Sequence, residues 1–413
     1  QIAARFTELL SAFIESPILT LDAFKRRSIE RAADKLADRR RSGLAGLRGR
    51  RFIGVKDSPS EMNSEPNPSR PSIRDARRRT VRFDGEQLVR IEPPTDSFPA
   101  CLRATRSDVR LNEWIRNRRE QLFELLHEHG ALLFRGFSMP APSTLEAAMA
   151  ALEDDALLDY AYRSTPRSQV NGRVFTSTEY PSDRVIPLHS EQAYSRKFPR
   201  RIGFLCLTPP TSGGATPIAD NRIVLSKIPI DIRSRFERLG VLYIRNYGGP
   251  LDLGWQEVFQ TEDPEEVTQF CRSQGIEVQW GAEGRLRTRQ ICPAIVEHPV
   301  TQAPVWFNQA HLFHASALGA KDRATLVELC GASGLPRQAK FGNEEDIPVD
   351  ALEKIRAAYG GATKRFDWQA GDWLLLDNLL ACHGREAFKG ARRVVVCMAG
   401  AMDSFDWTSK ETR

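Results

Sequence analysis

The sequence predicts a mostly β fold with helical inserts, of the jelly-roll or sandwich type. From about residue 172 onward, short apolar runs rich in β-branched and aromatic residues recur between turn signals. Helical stretches interrupt these runs irregularly instead of following each strand, which disfavours a doubly wound parallel sheet. The predicted strands are RVIPL, IGFLCL, VLYIRN, IEVQW, RTRQI, APVWFN, WLLLDN and RVVVCMAG.

The first 82 residues form a distinct part of the chain. Apolar side chains at helical spacing predict a helix at 6–16, and a charge-rich helical stretch follows at 22–41. Residues 58–73 are rich in Pro, Ser and Asn, a composition typical of a linker. We therefore predict three parts: an N-terminal helical segment at 1–55, a linker at 56–82 and a main domain at 83–413.

The main domain opens with a predicted amphipathic helix at 110–129 that ends at Gly130, followed by a strand entering a turn at 131–137. The strands named above fill much of the rest and form the predicted core. Further helices are predicted at 143–152, 222–238, 264–274, 322–332 and 348–358.

Charge is distributed unevenly along the 413 residues. The first 82 residues contain 19 Lys and Arg against 10 Asp and Glu, whereas the main domain is close to neutral. The basic part lacks interleaved aromatic residues and any zinc-finger or helix-turn-helix pattern, so we do not expect nucleic acid binding. No apolar run approaches the roughly 20 residues of a membrane-spanning helix, so we expect no membrane insertion.

The seven cysteines are scattered, and no C-x-x-C pair occurs among them. An odd number without paired spacing argues against a disulfide framework or a zinc ribbon. We therefore expect reduced thiols and a cytoplasmic location.

Two separated segments carry the residues of a candidate metal site. His189 and Glu191 lie two apart, so on a strand both side chains point to the same face. His383 comes much later and would reach the same ion only from a neighbouring strand. Two imidazoles and one carboxylate suit Fe(II) and leave coordination positions open. The H-x-E pair alone is a weak motif, and ordinary hydrogen-bonded histidines remain the alternative.

The surrounding sequence resembles the taurine dioxygenase (TauD/TfdA-like) family of Fe(II)/2-oxoglutarate oxygenases, in particular its SyrP-like and clavaminate-synthase-like branch. The resemblance runs from about residue 84 to 400 and implies a distorted double-stranded β-helix, or jelly roll. The blocks that carry it are HGALLFRGF (129–137), TSTEYPSDRVIPLHSE (176–191), GFLCLTPPTSGGATPIADNRIV (203–224), APVWFNQAHLFH (303–314) and WLLLDNLLACHGREAFKGARRVVV (373–396).

The resemblance implies specific roles for residues in these blocks. It makes His189, Glu191 and His383 the iron ligands, with O2 and 2-oxoglutarate as co-substrates. Thr216 and Arg393 would bind the distal carboxylate of 2-oxoglutarate, since a planar guanidinium suits a carboxylate. Arg392 is the competing candidate, because neighbouring residues on a strand face opposite sides.

Other residues refine the expected reaction. The carboxylate of Glu191 is present, and the halogenating relatives replace it with a small residue, so hydroxylation is favoured over halogenation. Cys397 stands where taurine-type enzymes place a second arginine, which disfavours a sulfonate substrate. Arg385 and His311 are candidate substrate contacts, with a surface ion pair and core packing as their respective alternatives. His127 and His129 lie two apart on a predicted helix, where side chains diverge, so we expect no metal pair there.

The N-terminal segment resembles the last helix of a nonribosomal peptide synthetase condensation domain and the connector that follows it. Because the chain begins with Gln1, we expect it to be part of a longer polypeptide. The expected partners are an aminoacyl carrier protein or neighbouring synthetase domains, and the substrate is an amino acid. The main hypothesis is β-hydroxylation of a tethered aminoacyl group, with aspartyl as a candidate. Desaturation or another oxidative rearrangement, and a non-catalytic scaffold, are the alternatives.

Overall fold

A computed structural model describes residues 88–403, except 93–96, 155, 161, 163, 166 and 249–252. The predicted N-terminal helical segment at 1–55 and the linker at 56–82 lie outside the described residues, so these two predictions stay predictions. The described part belongs to the predicted main domain.

The strands of the described chain form five sheets. The largest sheet has eight strands in the order β1-β2-β3-β16-β7-β19-β5-β4, and a three-stranded sheet has the order β6-β17-β9. The strands are β1 (Val89–Ile91), β2 (Ala100–Ala104), β3 (Ala131–Arg135), β4 (Gln169–Asn171), β5 (Val174–Thr176), β6 (Ile186–His189), β7 (Lys197–Thr208), β8 (Ser212–Gly213), β9 (Ile218–Asp220), β10 (Val241–Tyr247), β11 (Glu277–Trp280), β12 (Leu286–Cys292), β13 (Ile295–Glu297), β14 (Pro304–Trp306), β15 (Arg337–Phe341), β16 (Trp373–Asp377), β17 (Ala381–Arg385), β18 (Phe388–Lys389) and β19 (Arg393–Asp403).

Helices lie between these strands, as the sequence predicts. Three short 3-10 helices, Ala282–Gly284, Ala315–Ala317 and Ala332–Gly334, accompany them. The α-helices are α1 (Leu111–His129), α2 (Pro142–Glu153), α3 (Asn221–Lys227), α4 (Ile230–Leu239), α5 (Trp255–Phe259), α6 (Pro264–Ser273), α7 (Ala310–Phe313), α8 (Ala320–Cys330) and α9 (Val349–Ala362).

The alternation of side chains along the central strands of the eight-stranded sheet places one core layer on each of its faces. In β16, Leu375 points to the layer that packs against α1 and α2, whereas Leu374 and Leu376 point to the opposite layer. That opposite layer also contains residues of β9 and β17, so it lies between the large sheet and the three-stranded sheet. The two facing sheets form the predicted distorted jelly roll, and the fold class is confirmed.

Several predicted elements are confirmed, and one is corrected. The helix predicted at 110–129 is α1, which ends at Gly130 in a left-handed conformation with φ 75°. The single helix predicted at 222–238 is two helices, because Pro229 lies between α3 and α4. Proline has no backbone N–H to donate, and its ring disfavours a helical residue before it.

Candidate metal centre

The three candidate metal ligands come together at one end of the three-stranded sheet. His189 is the last residue of β6, and it pairs directly with His383 of β17. The two imidazole rings have centroids 4.6 Å apart. Ligand atoms of His189, His383 and Glu191 all lie within 4.8 Å of one another. Residues from two segments distant in sequence thus form one cluster with the donor set of a mononuclear metal site.

Both imidazoles are held in the neutral form that binds a metal. Burial lowers the pKa of His383 well below its usual range and also lowers the pKa of His189. His189 Nδ1 lies 2.9 Å from the carbonyl oxygen of Pro187. Because a carbonyl only accepts, Nδ1 carries the proton and Nε2 keeps its lone pair. His383 Nδ1 is buried and has no hydrogen-bond partner among the described residues.

Close approach of the backbones makes this arrangement possible. Gly384 follows His383 at a register irregularity between β17 and β6. A Cβ atom added at Gly384 would lie 2.6 Å from the carbonyl oxygen of Ile186. Only glycine therefore allows the two strands to pack this closely beside the ligands.

The third candidate ligand, Glu191, is buried and held by a buried arginine. The NH2 group of Arg167 donates to Glu191 Oε2 at 2.5 Å. The guanidinium of Arg167 also lies over the ring of Tyr160, with 4.6 Å between Cζ and the ring centroid. This charge-assisted hydrogen bond fixes the orientation of the carboxylate beside the histidines.

Side-chain amides hold the segment that carries the carboxylate. Asn378, in the turn after β16, hydrogen-bonds the backbone of Glu191. Asn221 donates to Ser190 Oγ at 3.0 Å, and Gln309 donates to the Ser190 carbonyl at 2.7 Å. These contacts replace the strand pairing that the segment lacks after β6 ends.

A cavity opens beside the cluster and is strongly basic. His189, His383 and Thr216 line it together with Arg167, Arg385 and Arg392. No Asp or Glu is among the described residues that line it, although Glu191 lies next to it. The positive charge of this lining favours an anion beside the candidate metal ligands.

Thr216 and Arg392 form a polar pair in this cavity. The NH2 group of Arg392 lies 3.3 Å from Thr216 Oγ1, and its Nε donates to the Gly214 carbonyl at 3.0 Å. Trp368 Nε1 also donates to Thr216 Oγ1, at 3.0 Å. Since the oxygen of Thr216 accepts both bonds, its hydroxyl proton is available for a ligand. Burial lowers the pKa of Arg392 to about 10, so the guanidinium stays charged at neutral pH.

The arginine that reaches the cavity is Arg392, and the preference for Arg393 is corrected. Arg393 is exposed at the start of β19, paired with Thr208. The register shifts between Arg393 and Val394, and Arg392 lies just before the strand. Neighbouring side chains point to opposite sides here, so only one arginine faces the cavity.

Arg385 lines the cavity, but most of its hydrogen-bonding groups hold a loop. NH1 donates to the Tyr180 carbonyl at 2.9 Å, and NH2 donates to the carbonyls of Pro181 and Arg184 at 2.5 and 2.8 Å. Its guanidinium thus fixes the segment that leads into β6. The expected surface ion pair is not what the structure shows, and contact with a substrate stays a prediction.

His311 does not line the cavity, which corrects its placement as a substrate contact. It lies in α7, where its ring stacks near Tyr359 with 4.5 Å between centroids. His311 Nε2 is 3.0 Å from the Leu188 carbonyl, so it supports β6 from behind. Burial lowers its pKa to about 3, and the side chain is neutral. The packing alternative is the one the structure supports.

A second cluster of possible ligands is already occupied by an arginine. His127, His298 and Asp377 lie close together, and Arg201 donates to Asp377 Oδ2 at 2.6 Å. His298 Nε2 is 3.1 Å from the same oxygen, and His127 Nε2 is 3.1 Å from Arg201 NH2. The guanidinium provides the positive charge of this network. Asp377 in turn accepts from the backbone of Leu379, so the network fixes the turn after β16.

Sequence reasoning missed Arg167, Asn378 and Gln309. Arg167 lies in an irregular segment, and no spacing or motif marks it as a neighbour of Glu191. Asn378 and Gln309 lie within two of the quoted blocks, but they act through backbone contacts that a sequence pattern does not reveal.

None of the helices in the described part of the chain has the length and apolar character of a membrane-spanning helix.

The fold and the cluster define a jelly-roll protein with a two-histidine, one-carboxylate site of the kind used by non-haem iron oxygenases. The family model described as taurine catabolism dioxygenase TauD, TfdA family, matches residues 90–398. The chain belongs to this family, and the predicted resemblance is confirmed. It is accordingly a dioxygenase that uses Fe(II), 2-oxoglutarate and O2.

Two curated proteins are similar over most of the chain. The dapdiamide synthesis protein DdaC of Enterobacter agglomerans is 41% identical over 299 residues, which cover 72% of this chain and 90% of that protein. A clavaminate synthase-like protein of Arabidopsis thaliana is 31% identical over 319 residues, 75% of this chain and 92% of that protein. Among solved structures, PvcB of Pseudomonas aeruginosa has a TM-score of 0.46 and 16% identity, covering 77% of this chain and 93% of that one.

Proposed function

We propose that this dioxygenase hydroxylates the β-carbon of an amino acid unit during the synthesis of a small secondary metabolite. The candidate substrate is an aspartyl group, presented by a carrier protein. The observation that carries the proposal is the cluster of His189 with the buried residues Glu191 and His383, beside a cavity lined by arginines. The catalytic unit is the domain proposed at 83–413.

The donor set fits Fe(II). His189 and His383 are neutral and Glu191 supplies one carboxylate, which we propose as the three protein ligands. These residues would hold Fe(II), which would supply the activation of O2 needed to hydroxylate a substrate C–H bond as 2-oxoglutarate is converted to succinate and CO2. The hydrogen bond from Arg167 keeps Glu191 oriented toward the two imidazoles.

The polar pair of Thr216 and Arg392 supports a place for the co-substrate. We infer that the guanidinium of Arg392 and the hydroxyl of Thr216 bind the distal carboxylate of 2-oxoglutarate. The apolar neighbours Phe204 and Val394 line the same cavity and suit the methylene groups of such a ligand. Glu191 would occupy the coordination position that a halide needs, which supports hydroxylation over halogenation.

The charge of the cavity supports an acidic substrate. Three arginines line it, and no Asp or Glu is among its described lining residues. The two negative charges of 2-oxoglutarate balance the two positive charges of Fe(II). The positive charge of the arginines is therefore left to attract the substrate. The name of DdaC places that relative in the synthesis of a small molecule, which supports a biosynthetic role here.

The test compares two carrier-bound substrates that differ by one charge. Purified protein is incubated with Fe(II), ascorbate and 2-oxoglutarate, together with an aspartyl or an asparaginyl carrier protein. We expect succinate formation and a gain of one oxygen in the intact mass for the aspartyl carrier, at least about tenfold faster than for the neutral isostere, because a charge-assisted contact is lost with the amide. Free L-aspartate tests whether tethering is required.

Other outcomes separate the remaining alternatives. A loss of two hydrogens from the aspartyl group would identify a desaturase. Failure of the protein to bind Mn(II) and N-oxalylglycine would indicate a scaffold without catalysis. An H383A variant serves as the inactive control, since it lacks one proposed ligand while β17 retains its backbone pairing.

A further inference from the structure

Arg167 has more hydrogen-bonding capacity than the described residues use. The residue is 4% exposed, and its NH2 group is bound to Glu191. Its Nε and NH1 groups are buried and have no hydrogen-bond partner among the described residues. A buried donor without a partner costs about 1–3 kcal/mol, and more when it is charged. Because buried polar groups in native proteins nearly always have a hydrogen-bond partner, these two donor groups suggest a bound ligand or water.

The surroundings of Arg167 keep it charged and in place. Burial disfavours the charged form, but the neighbouring Glu191 carboxylate raises the pKa of Arg167 above its ordinary value. The ring of Tyr160 covers the guanidinium at 4.6 Å, and the side chain lines the cavity. A cation with two donor groups that no described residue uses therefore lines the cavity beside His189 and His383.

We propose that Arg167 binds a carboxylate of a ligand at the metal centre through Nε and NH1 while NH2 holds Glu191. This inference rests on the proposed function, because it assigns a further binding group to the same site. Two carboxylates can occupy that position. One is the metal-proximal carboxylate of the 2-oxo acid, and the other is the carboxylate of the acidic substrate.

Arg167 and Arg392 make different contacts, so we assign them different roles. The guanidinium of Arg392 already donates to Gly214 and pairs with Thr216. Arg167 instead contacts a proposed metal ligand directly. The two arginines would therefore recognise different ends of the bound ligands. If Arg167 binds the metal-proximal carboxylate, shortening the 2-oxo acid removes its dependence on Arg392 and leaves its dependence on Arg167.

Calorimetric titrations of the whole protein test the proposal. Wild type, R167M and R392M are saturated with Mn(II) and titrated with N-oxalylglycine, which has both carboxylates, and with oxalate, which lacks the distal one. A third titration adds L-aspartate to the complex with Mn(II) and N-oxalylglycine. R393M is the matched control, since Arg393 is exposed on β19.

We expect the R167M substitution to lower the affinity for at least one of these ligands by about 10- to 100-fold, because charged hydrogen bonds are lost. Weaker binding of both oxalate and N-oxalylglycine assigns Arg167 to the metal-proximal carboxylate. Weaker binding of L-aspartate alone assigns it to the substrate. If R167M alters only the Mn(II) affinity, or weakens no ligand more than R393M does, Arg167 merely holds Glu191 and the proposal is wrong.

A conservative variant covers the case in which R167M does not fold or does not bind Mn(II). R167K keeps the charge. Its single ammonium group cannot donate to Glu191 and to a second carboxylate with the planar geometry of a guanidinium. We expect R167K to bind Mn(II) and to bind the relevant carboxylate at least several-fold more weakly; unchanged binding would overturn the proposal. If wild type itself binds no N-oxalylglycine with Mn(II), the proposed function fails instead.

Discussion

The side-chain amide of Asn378 hydrogen-bonds both the backbone N–H and the backbone carbonyl of Glu191. Its Oδ1 accepts from the Glu191 N–H at 2.8 Å, and its Nδ2 donates to the Glu191 carbonyl at 2.9 Å. The same Nδ2 lies 2.9 Å from the Pro199 carbonyl, so one amide ties the candidate ligand to the start of β7. A residue far from the ligand in sequence thus sets its position.

Replacing Asn378 should weaken metal binding. We expect N378A to reduce Mn(II) affinity by about 10- to 100-fold, because residues that orient metal ligands have effects of this size. Titration calorimetry measures the change. N117A, on an exposed position of α1, is the matched control. Equal Mn(II) affinity in both variants would mean that the turn does not position Glu191.

The two adjacent arginines should differ sharply in their effect on 2-oxoglutarate. R392M removes a buried cation from the cavity, whereas R393M removes an exposed one. We expect the KM for 2-oxoglutarate to rise about 10- to 100-fold in R392M and less than about twofold in R393M. Succinate formation is the readout. The reverse order would return the co-substrate role to Arg393.

His311 should make the protein less stable in acid. Its pKa is lowered from 6.5 to about 3 by burial, so the unfolded chain takes up a proton in a pH range where the folded protein does not. The stability that neutral His311 contributes is complete above about pH 6.5 and is lost as the pH falls toward 3.

We expect H311Q to flatten this dependence by about 1.4 kcal/mol per pH unit between pH 6 and 4, the value for one proton. Urea unfolding of the metal-free protein at several pH values measures the slope. The same substitution at half-buried His129 is the control. A slope unchanged by H311Q would show that this histidine already binds a proton in the folded state.

A methyl group at Gly384 should separate the two strands that carry the histidines. The added Cβ would lie 2.6 Å from the Ile186 carbonyl oxygen. Its three nearest atoms are all backbone atoms of β6, so β6 would have to shift. We expect G384A to lose about 1–3 kcal/mol of stability and most of its Mn(II) affinity.

Gly360 provides the matched control for this substitution. It lies in α9 with no atom within 4 Å of an added Cβ, so G360A should be neutral or stabilise the helix by up to about 1 kcal/mol. Thermal unfolding and Mn(II) titration are measured for both variants. Normal metal binding by G384A would mean that the strand spacing can relax.

The sequence was sufficient for the strands and the ligand set, because these leave local patterns. The apolar run at 373–377 predicted β16, and the residue types at 189, 191 and 383 predicted a metal site. The choice between Arg392 and Arg393 depends on a register shift at the start of β19, and no local pattern encodes that shift. The contact of Arg167 with Glu191 depends on the path of an irregular segment, so its position was not predictable either.

The pairing of His189 with His383 across β6 and β17 has a consequence for how the protein acquires iron. The first histidine and the carboxylate are synthesised long before the second histidine, which lies near the end of the domain. A nascent chain that stops short of β17 presents two ligands and no partner strand. Iron can therefore contact all three candidate ligands only after β17 has paired with β6.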